Sequence, residues 1–530
     1  MKTLNTNLIH LKKWVLFLFL ISCSQMEEIP IIEDDENLEE ETFDYTSNNP
    51  YNLNVIYFVP SDREENPDYH KRISEIMLDG QAFFLKYMKH WDYGEKTFGL
   101  LKDQSKNRVK IHVIRGEKPA SAYPYEGGGN EIRKEVDAYF AESPSEKSSD
   151  HYLIISSVNN PATGGANPAD VPFYGMGRYA YALDYPGMSI EDLGKDGVAG
   201  SEATKWIGGL LHEMGHGLNL PHCKEKVSEA SNPNMGTSLM GAGNYTYGKS
   251  PTCLTHSSAA YLNNCQVFAE TQGNFYGPVN SSIKTILAKY ENGHIHISGT
   301  FESDVPVTDI TFSNRPETDA GGYQAVKWVE KPDGNGFEVN MPISEFWEKD
   351  NMGYDFSIVR HHTNGANTST AYAYTFENDI PMINFGDRDE LDKNNWTILD
   401  FSSEETSGEG STGRISDVID GKPETYWHSR WTSNASDYPH HFTIDMSQIQ
   451  AVNGLSITQR NGQRRIKDYK LYVSDNNSDW ELLISSQIPN LPGRVYIDLE
   501  ETASFRYFKF EAISSHDGQQ FAALAEIGFY

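Results

Sequence analysis

The clearest chemical signal in the sequence is a group of histidines with one acidic neighbour: His212, Glu213, His216 and His222. His212 and His216 are four residues apart, so on a helix they project from the same face and both imidazoles can reach one ion. Zinc binds imidazole nitrogen readily, and a catalytic zinc site uses three protein ligands and leaves one position for water. Glu213 can take a proton from that water, so the spacing predicts metal-assisted hydrolysis.

The flanking sequence predicts the elements that position this group. An apolar stripe that includes Trp206, Leu210 and Leu211 predicts a helix from about 202 to 218, capped by Ser201. Apolar or alternating runs predict strands at 53–59, 109–114, 151–155 and 177–185, and helices at 72–91 and 130–140. Residues 177–185 alternate as an edge strand would. The pattern predicts an α/β (α+β) domain with a mixed sheet.

The third histidine indicates the class of site. The stretch from His212 to His222 resembles the metzincin motif HExxHxxGxxH, with Asn219 in place of the last glycine. After glycine, asparagine best tolerates the left-handed region, so we expect a positive φ at this position. The resemblance implies a zinc metalloendopeptidase in which the three histidines bind zinc and Glu213 is the general base for a zinc-activated water.

A second resemblance to metzincins lies downstream, in residues 238–243. They resemble the Met-turn, with Met240 as the apolar floor beneath the zinc ligands and Met235 as the alternative. Some metzincins have a tyrosine two residues after this methionine. That position is Ala242 here, and Tyr245 or Tyr247 could take its place. The resemblance also implies that substrate pairs with an edge strand, for which we expect residues 179–184.

The C-terminal part carries a different set of residues. It contains DGKPETYWHS at 420–429, PHHFTID at 439–445, YKLYVS at 469–474, RYFKF at 506–510 and AEI at 525–527. In order and spacing these resemble the discoidin, or coagulation-factor C-type, domain, which is the fold of family 32 carbohydrate-binding modules. The resemblance implies a β-sandwich of the galactose-binding-like jelly-roll type.

The same resemblance implies two sites in this domain. A structural calcium would have Asp420, Thr425 and Glu526 as ligands, because hard oxygen ligands suit this ion, although Asp420 could instead form an Asx turn. Sugar would bind at the mouth of the barrel, where a ring stacks on the apolar face of a sugar and polar groups bind its hydroxyls. The candidates for sugar binding are His428, Trp431, Arg460 and Phe521.

The sequence as a whole predicts a multidomain protein. We divide it into a signal peptide (1–22), an acidic disordered tether (23–49), a zinc metallopeptidase domain (50–275), a β-sandwich linker domain (276–384) and a discoidin-like carbohydrate-binding domain (385–530). Short alternating runs between Gly, Pro and Asp turns suggest that the linker domain is immunoglobulin-like. We expect it to act as a spacer.

The N-terminus predicts export. Lys2, Lys12 and Lys13 precede a short apolar run, and Leu20-Ile21-Ser22-Cys23 resembles a bacterial lipobox. The resemblance implies lipidation of Cys23 and an outer-membrane lipoprotein facing the cell surface or the periplasm, with lipid as its membrane anchor. An ordinary cleaved signal with a chance cysteine is the alternative. The acidic residues Glu27 and Glu28, soon after the cysteine, resemble the surface-export signals of Bacteroidetes lipoproteins.

The net charge and the cysteine content bear on the class of partner and on disulfide formation. The formal charge of −31 argues against nucleic acid as a partner, which would need a basic face. Besides Cys23 the chain has Cys223, Cys253 and Cys265. One disulfide and one free thiol are compatible with export, and the pairing cannot be derived from sequence.

The predicted domains together suggest an endopeptidase that cleaves extracellular, glycosylated proteins, such as mucin-like ones, with a C-terminal domain that binds glycan. Two alternatives stay open. The chain could be a glycan-binding adhesin with an inactive peptidase fold, although the intact Glu213 argues against this. It could also be a zinc-dependent deacylase or glycan hydrolase.

Overall fold

The structure is a computed structural model that describes residues 41–530 apart from 161–169, 384, 387, 389, 489, 491 and 492. Residues Phe43–Tyr530 form one compact unit. The signal peptide, Cys23 and most of the predicted tether lie outside the described residues. The tether was predicted to reach residue 49, but Thr46 pairs with Lys102 through main-chain hydrogen bonds. The end of that segment therefore belongs to the folded unit.

The first region of the folded unit is a mixed sheet covered by helices. Its elements are β1 (Asn54–Val59), α1 (Tyr69–His90), β2 (Lys102–Asp103), β3 (Arg108–Val109), β4 (His112–Arg115), α2 (Gly128–Glu142), β5 (Tyr152–Ser157), β6 (Tyr174–Met176), β7 (Tyr179–Asp184), α3 (Val198–Gly217), α4 (Val227–Ser231), β8 (Thr237–Ser238), β9 (Thr252–Cys253) and α5 (His256–Asn263). The sheet order is β4-β1-β5-β7-β6, and β6 runs antiparallel to β7 while the neighbours along β4, β1, β5 and β7 are parallel.

Strand β7 lies inside the sheet, so the prediction of an edge strand at 177–185 is wrong, and β6 forms the edge. The alternation has another cause, because both faces of β7 are covered. The hydroxyl of Tyr181 donates to the main-chain oxygen of Gly129 in α2 at 2.7 Å. On the other face, a Cβ added to Gly217 of α3 would lie 2.8 Å from the Cβ of Ala180. Tyrosine and alanine therefore alternate along β7 because α2 packs farther from the strand and α3 packs closely against it.

Two element boundaries also differ from the predictions. The strand predicted at 109–114 is divided into β3 and β4, which belong to different sheets. Helix α3 begins at Val198 with Gly197 as its N-cap, so Ser201 lies within the helix rather than capping it. The predicted helix was too short because a glycine cap gives a weaker sequence signal than serine.

The second region is a sandwich of two β-sheets. Its strands are β10 (Ser281–Glu291), β11 (His294–Ser303), β12 (Val307–Pro316), β13 (Val326–Glu330), β14 (Gly336–Pro342), β15 (Gly353–His362), β16 (Asn367–Glu377) and β17 (Ile380–Met382). One sheet has the order β10-β11-β14, and the other contains β13-β12-β15-β16 with β17 beside β16. Ile297 and Val339 from the first sheet share a buried core with Phe312 and Phe356 from the second.

The third region is another β-sandwich. Its strands are β18 (Thr397–Phe401), β19 (Trp427–His428), β20 (His440–Gln459), β21 (Asp468–Ser474), β22 (Glu481–Gln487), β23 (Gly493–Ala512), β24 (Ala523–Leu524) and β25 (Glu526–Phe529). Trp427, Phe442 and Phe510 lie in its core. Strand β16 of the second region pairs in parallel with β23 through Tyr372 and Arg494. One sheet therefore continues from the second region into the third.

Candidate active site

Helix α3 carries the first part of the candidate site. His212, Glu213 and His216 lie in its last turns, and His212 is buried. The ring nitrogen Nδ1 of His212 lies 2.7 Å from the main-chain oxygen of Leu239, and Nδ1 of His216 lies 2.8 Å from that of Leu220. Since a carbonyl oxygen can only accept, each Nδ1 donates its proton and each Nε2 presents a lone pair.

The chain turns sharply after α3 to bring His222 back to this point. The turn uses a φ of +70° at Asn219, as expected from the sequence. His222 is then held from the second region. Its Nδ1 donates to the main-chain oxygen of Gly321 at 2.7 Å, and the buried Nζ of Lys327 donates to the main-chain oxygen of His222 at 2.8 Å. The β-sandwich therefore orients the third histidine.

The three histidines converge on one point. Their candidate ligand atoms all lie within 4.8 Å of one another, and Nε2 of His216 lies 2.9 Å from Nε2 of His222. Burial lowers the pKa of His212 to about 3 and that of His216 to about 4, and it also lowers the pKa of His222, so all three rings are neutral near pH 7. Two neutral nitrogens with opposed lone pairs repel unless a cation lies between them. The donor set therefore fits a divalent metal ion with imidazole ligands.

Glu213 lies beside this point and faces the edge strand β6. Burial raises the pKa of Glu213 to about 7, and the main-chain N–H of Gly175 opposes that shift. Gly175 also approaches the helix closely, because a Cβ added to it would lie 2.1 Å from the Cβ of His216. A carboxyl group with such a pKa can accept and release a proton near neutral pH.

Met240 lies under the helix, where the sequence suggested a Met-turn. It is fully buried, and its Sδ would be 2.4 Å from a Cβ added to Gly215. The two tyrosines considered as substitutes at this turn differ in position. The hydroxyl of Tyr247 donates to Asp79 at 2.6 Å, which directs it away from the site. Tyr245 is 61% exposed and lies beside the site.

A tyrosine that the sequence analysis missed covers the third histidine. The ring of Tyr323 stacks on the ring of His222, with the ring centroids 3.6 Å apart and the planes at 25°. Burial raises the pKa of Tyr323, and the nearby charge of Glu213 raises it further. Because Tyr323 belongs to the β-sandwich, the expectation that this domain is a spacer needs correction. No local signal marks this residue, since it lies in a loop about a hundred residues from the histidines.

Two clefts meet at the site. One, which we call the aromatic cleft, has a volume of about 550 Å³ and is lined by Tyr125, Phe173 and Tyr174. The other, which we call the polar cleft, has a volume of about 410 Å³ and is lined by Lys224, Asn244, Tyr245 and Gln324. Both volumes are typical of ligand sites. Glu213 and Tyr323 line both clefts, so they mark the junction between them.

The C-terminal region has a pocket that contains all four sugar-binding candidates. His428, Trp431, Arg460 and Phe521 line it together with Glu409. Trp431 is 43% exposed, and its indole N–H donates to Glu409 at 3.0 Å. The pocket thus combines an exposed ring with polar groups.

The calcium candidates also lie together. The hydroxyl of Thr425 donates to Asp420 at 2.8 Å, and the main-chain N–H of Gly421 donates to Glu526 at 2.7 Å. Asp420 accepts from the main-chain N–H of Lys422 at 2.9 Å, as in the alternative Asx turn. The second carboxylate oxygen of Glu526 accepts from Lys393 at 2.5 Å. Hydrogen bonds and an ion pair thus account for these groups, and calcium remains a prediction.

Cys223, Cys253 and Cys265 are buried free thiols, so the structure does not contain the disulfide that the sequence left open. The thiol of Cys223 lies 3.3 Å from the hydroxyls of both Ser238 and Thr255. In the described part of the chain, no helix has the length and apolar character needed to cross a membrane.

Comparison with known proteins agrees with this architecture. Residues 400–527 match the F5/8 type C domain family, which confirms the discoidin domain predicted from the sequence. OgpA from Akkermansia muciniphila has a crystal structure that is similar to this chain at 35% sequence identity and a TM-score of 0.59. The similarity covers 64% of this chain and 97% of OgpA. The chain belongs to the OgpA family.

A second OgpA structure shows a ligand. In it, catalytically inactive OgpA is in complex with an O-glycopeptide substrate, glycodrosocin. That structure matches this chain at 35% identity and a TM-score of 0.59, over 64% of this chain and 96% of OgpA. The OgpA family thus includes a protein that takes an O-glycopeptide as substrate.

The sialidase of Micromonospora viridifaciens is another relative. It is 34% identical over 143 residues, which are 26% of this chain and 21% of the sialidase. Because the match spans about a fifth of that enzyme's length, it bears on one domain and not on the whole protein.

Proposed function

We propose that this chain is a zinc-dependent endopeptidase of metzincin type that cleaves O-glycosylated proteins. The observation that carries the proposal is the convergence of His212, His216 and His222 beside the carboxyl group of Glu213. Membership of the OgpA family supports a peptidase that acts on glycosylated substrates, because OgpA is found with an O-glycopeptide substrate. Mucin-like glycoproteins are a substrate class of this kind.

The residues present fit the proposed metal. The Nε2 atoms of His212, His216 and His222 would hold it, since their Nδ1 atoms are engaged by main-chain oxygens. When bound, zinc supplies Lewis-acid polarisation of the scissile carbonyl and increases the acidity of a water molecule. The protein's own part is to hold these imidazoles neutral and correctly oriented.

Glu213 performs the proton transfers in this proposal. Its carboxylate takes a proton from the attacking water and then gives it to the nitrogen of the leaving amine, so that no net proton is gained or lost. The edge strand β6, rather than β7, is the strand that can pair with an extended substrate, because β6 has one side free of partners in the described sheet. Its Gly175 approaches both Glu213 and His216.

Replacing Glu213 with glutamine tests the proposal. The variant E213Q should bind zinc at the wild-type stoichiometry and should cleave a synthetic O-glycopeptide at least ~100-fold more slowly, since general acid–base catalysis contributes roughly 10²- to 10⁴-fold. Glu202→Gln, in the same helix α3 but away from the clefts, is the matched control and should stay active. Cleavage by E213Q at the wild-type rate would overturn the proposal.

The products of the same reaction separate the alternatives. Mass spectrometry should find a cut polypeptide that still carries its glycan. A changed glycan on an intact polypeptide would instead identify a deacylase or glycan hydrolase. Binding without any product would identify an adhesin with an inactive peptidase fold.

We also propose that the C-terminal domain binds glycan through the pocket of Trp431 and Glu409, and that Cys23 is lipidated in an outer-membrane lipoprotein facing the cell surface or the periplasm. The pocket supports the first part by its exposed ring among polar groups. The second part depends on the lipobox-like residues 20–23. Replacing Cys23 with serine should move the protein from the membrane fraction to the soluble fraction.

A further inference from the structure

The loop that joins β12 to β13 lies over the candidate active site in a defined conformation. The carboxylate of Asp319 accepts from the main-chain N–H of Gln324 at 2.6 Å, which closes the loop on itself. The main-chain N–H of Ala325 donates to Gly322 at 3.2 Å, and that of Lys224 donates to Ala325 at 2.8 Å. These bonds attach the loop to the segment that follows His222.

Two glycines let this loop lie directly against His222. A Cβ added to Gly321 would lie 2.9 Å from Cδ2 of the Tyr323 ring, so a larger residue would displace the ring. Gly322 has a φ of +79°, which favours glycine, and its added Cβ would be 3.6 Å from the Cβ of His222. The ring of Tyr323 is therefore held between the loop and the third histidine.

Among the described residues that line the clefts, Tyr125, Tyr245 and Tyr323 have hydroxyls with no hydrogen-bond partner within the protein. Tyr125 lines only the aromatic cleft and Tyr245 only the polar cleft, whereas Tyr323 lines both. Within the described residues, no hydrogen-bond partner is found for the hydroxyl of Tyr323, whose side chain is 46% exposed. It thus offers a free donor at the point where the aromatic and polar clefts meet, which Glu213 also lines.

We propose that Tyr323, supplied by the β-sandwich, is a catalytic residue whose hydroxyl donates a hydrogen bond to the carbonyl oxygen of the scissile peptide bond. This inference rests on the proposed peptidase function. A polypeptide that extends from one cleft to the other passes both Glu213 and Tyr323, because these residues line the junction. A donor held in place before the reaction stabilises the negative charge that develops on this oxygen.

The chemistry balances without an additional reactant. As water attacks the carbonyl carbon, its proton moves to Glu213, and the electron pair of the carbonyl bond moves to the oxygen. When the carbon–nitrogen bond breaks, the proton moves from Glu213 to the leaving nitrogen. Tyr323 keeps its own proton throughout, so its contribution is a hydrogen bond that strengthens in the transition state.

Tyr323→Phe is the decisive variant, because it keeps the ring that stacks on His222 and removes the hydroxyl. We expect kcat for glycodrosocin to fall ~100-fold, as happens when one donor to a developing oxyanion is removed. KM should change less than about twofold, and zinc stoichiometry and thermal stability should match the wild type. Tyr290→Phe in β10 removes a hydroxyl from the same sandwich at a residue that lines neither cleft, and it should leave kcat unchanged.

Three results would overturn the inference. An unchanged kcat for Y323F would show that the hydroxyl does not act in the transition state. A raised KM with unchanged kcat would show that the hydroxyl binds the substrate and the transition state equally. A loss of zinc would show that the hydroxyl of Tyr323 supports the metal site and does not act on the substrate. In each case an inactive E213Q would keep the peptidase proposal intact. If E213Q also cleaved normally, the proposed function itself would fail.

Discussion

Gly175 gives a sharp test of how closely the edge strand must approach the catalytic helix. In the variant Gly175→Ala the new Cβ would lie 2.1 Å from the Cβ of His216, whereas ordinary contact begins at 3.4 Å, so strand or histidine must shift by about 1.3 Å. A misplacement of about 1 Å at reacting groups costs roughly 100-fold in rate. We therefore expect kcat/KM for an O-glycopeptide to fall about 100-fold. Overpacking should lower the free energy of unfolding by about 1–3 kcal/mol.

The matched control lies in the same hairpin. An alanine at Gly177 meets no atom within 4 Å, but it must adopt a φ of +61°. That left-handed conformation costs about 1–2 kcal/mol, so the two variants should lose similar stability. Steady-state kinetics and thermal unfolding at saturating zinc then separate the effects, because only G175A displaces His216 and the main-chain N–H beside Glu213.

The outcome can refute the reasoning in two ways. If G175A kept the wild-type kcat/KM, the contact between β6 and the helix would not control the geometry of the site. If G177A lost as much activity as G175A, the loss would come from the strained hairpin and not from His216.

Three further predictions concern the metal, the lysine that holds the third histidine and the C-terminal pocket. Removing metal with a chelator should stop cleavage and lower Tm, since free zinc at about 1,000 times its Kd stabilises the fold by about 4 kcal/mol; an unchanged Tm would contradict the metal site. Lys327→Met, which loses the bond to His222, should weaken zinc binding roughly 10- to 100-fold in a chelator competition, whereas the exposed Lys331→Met should not. Trp431→Ala should weaken glycan binding in calorimetry by about tenfold, or about 1.4 kcal/mol, and should leave the cleavage of short glycopeptides unchanged.

The part of the site that the sequence could predict is local. His212, Glu213 and His216 lie within five residues, so the geometry of one helix determines their relation. The positive φ at Asn219 also follows from the properties of a single residue. The discoidin domain was recognisable because its characteristic residues recur in a set order along the chain.

The part that the sequence could not predict depends on contacts between distant residues. Gly321 lies 99 residues from His222 and Lys327 lies 105, and no periodic pattern encodes such a pairing. Strand β6 has three residues, which is too short for alternation to be visible. The interior position of β7 was missed because the alternation of tyrosine and alanine was attributed to solvent on one face of the strand. In the structure both faces are covered, and α3 packs closer to the strand than α2 does.

The sheet shared by β16 and β23 has a consequence for how the whole molecule would work on a substrate. Hydrogen-bonded strands bend much less than a flexible linker, so the distance from the C-terminal pocket to the two clefts is set by the fold. A sugar held in that pocket would then favour cleavage of the bonds that lie one molecular span away along a densely decorated polypeptide, because tethering raises their effective concentration at the clefts. The spacing of cuts in a long glycoprotein would record this span.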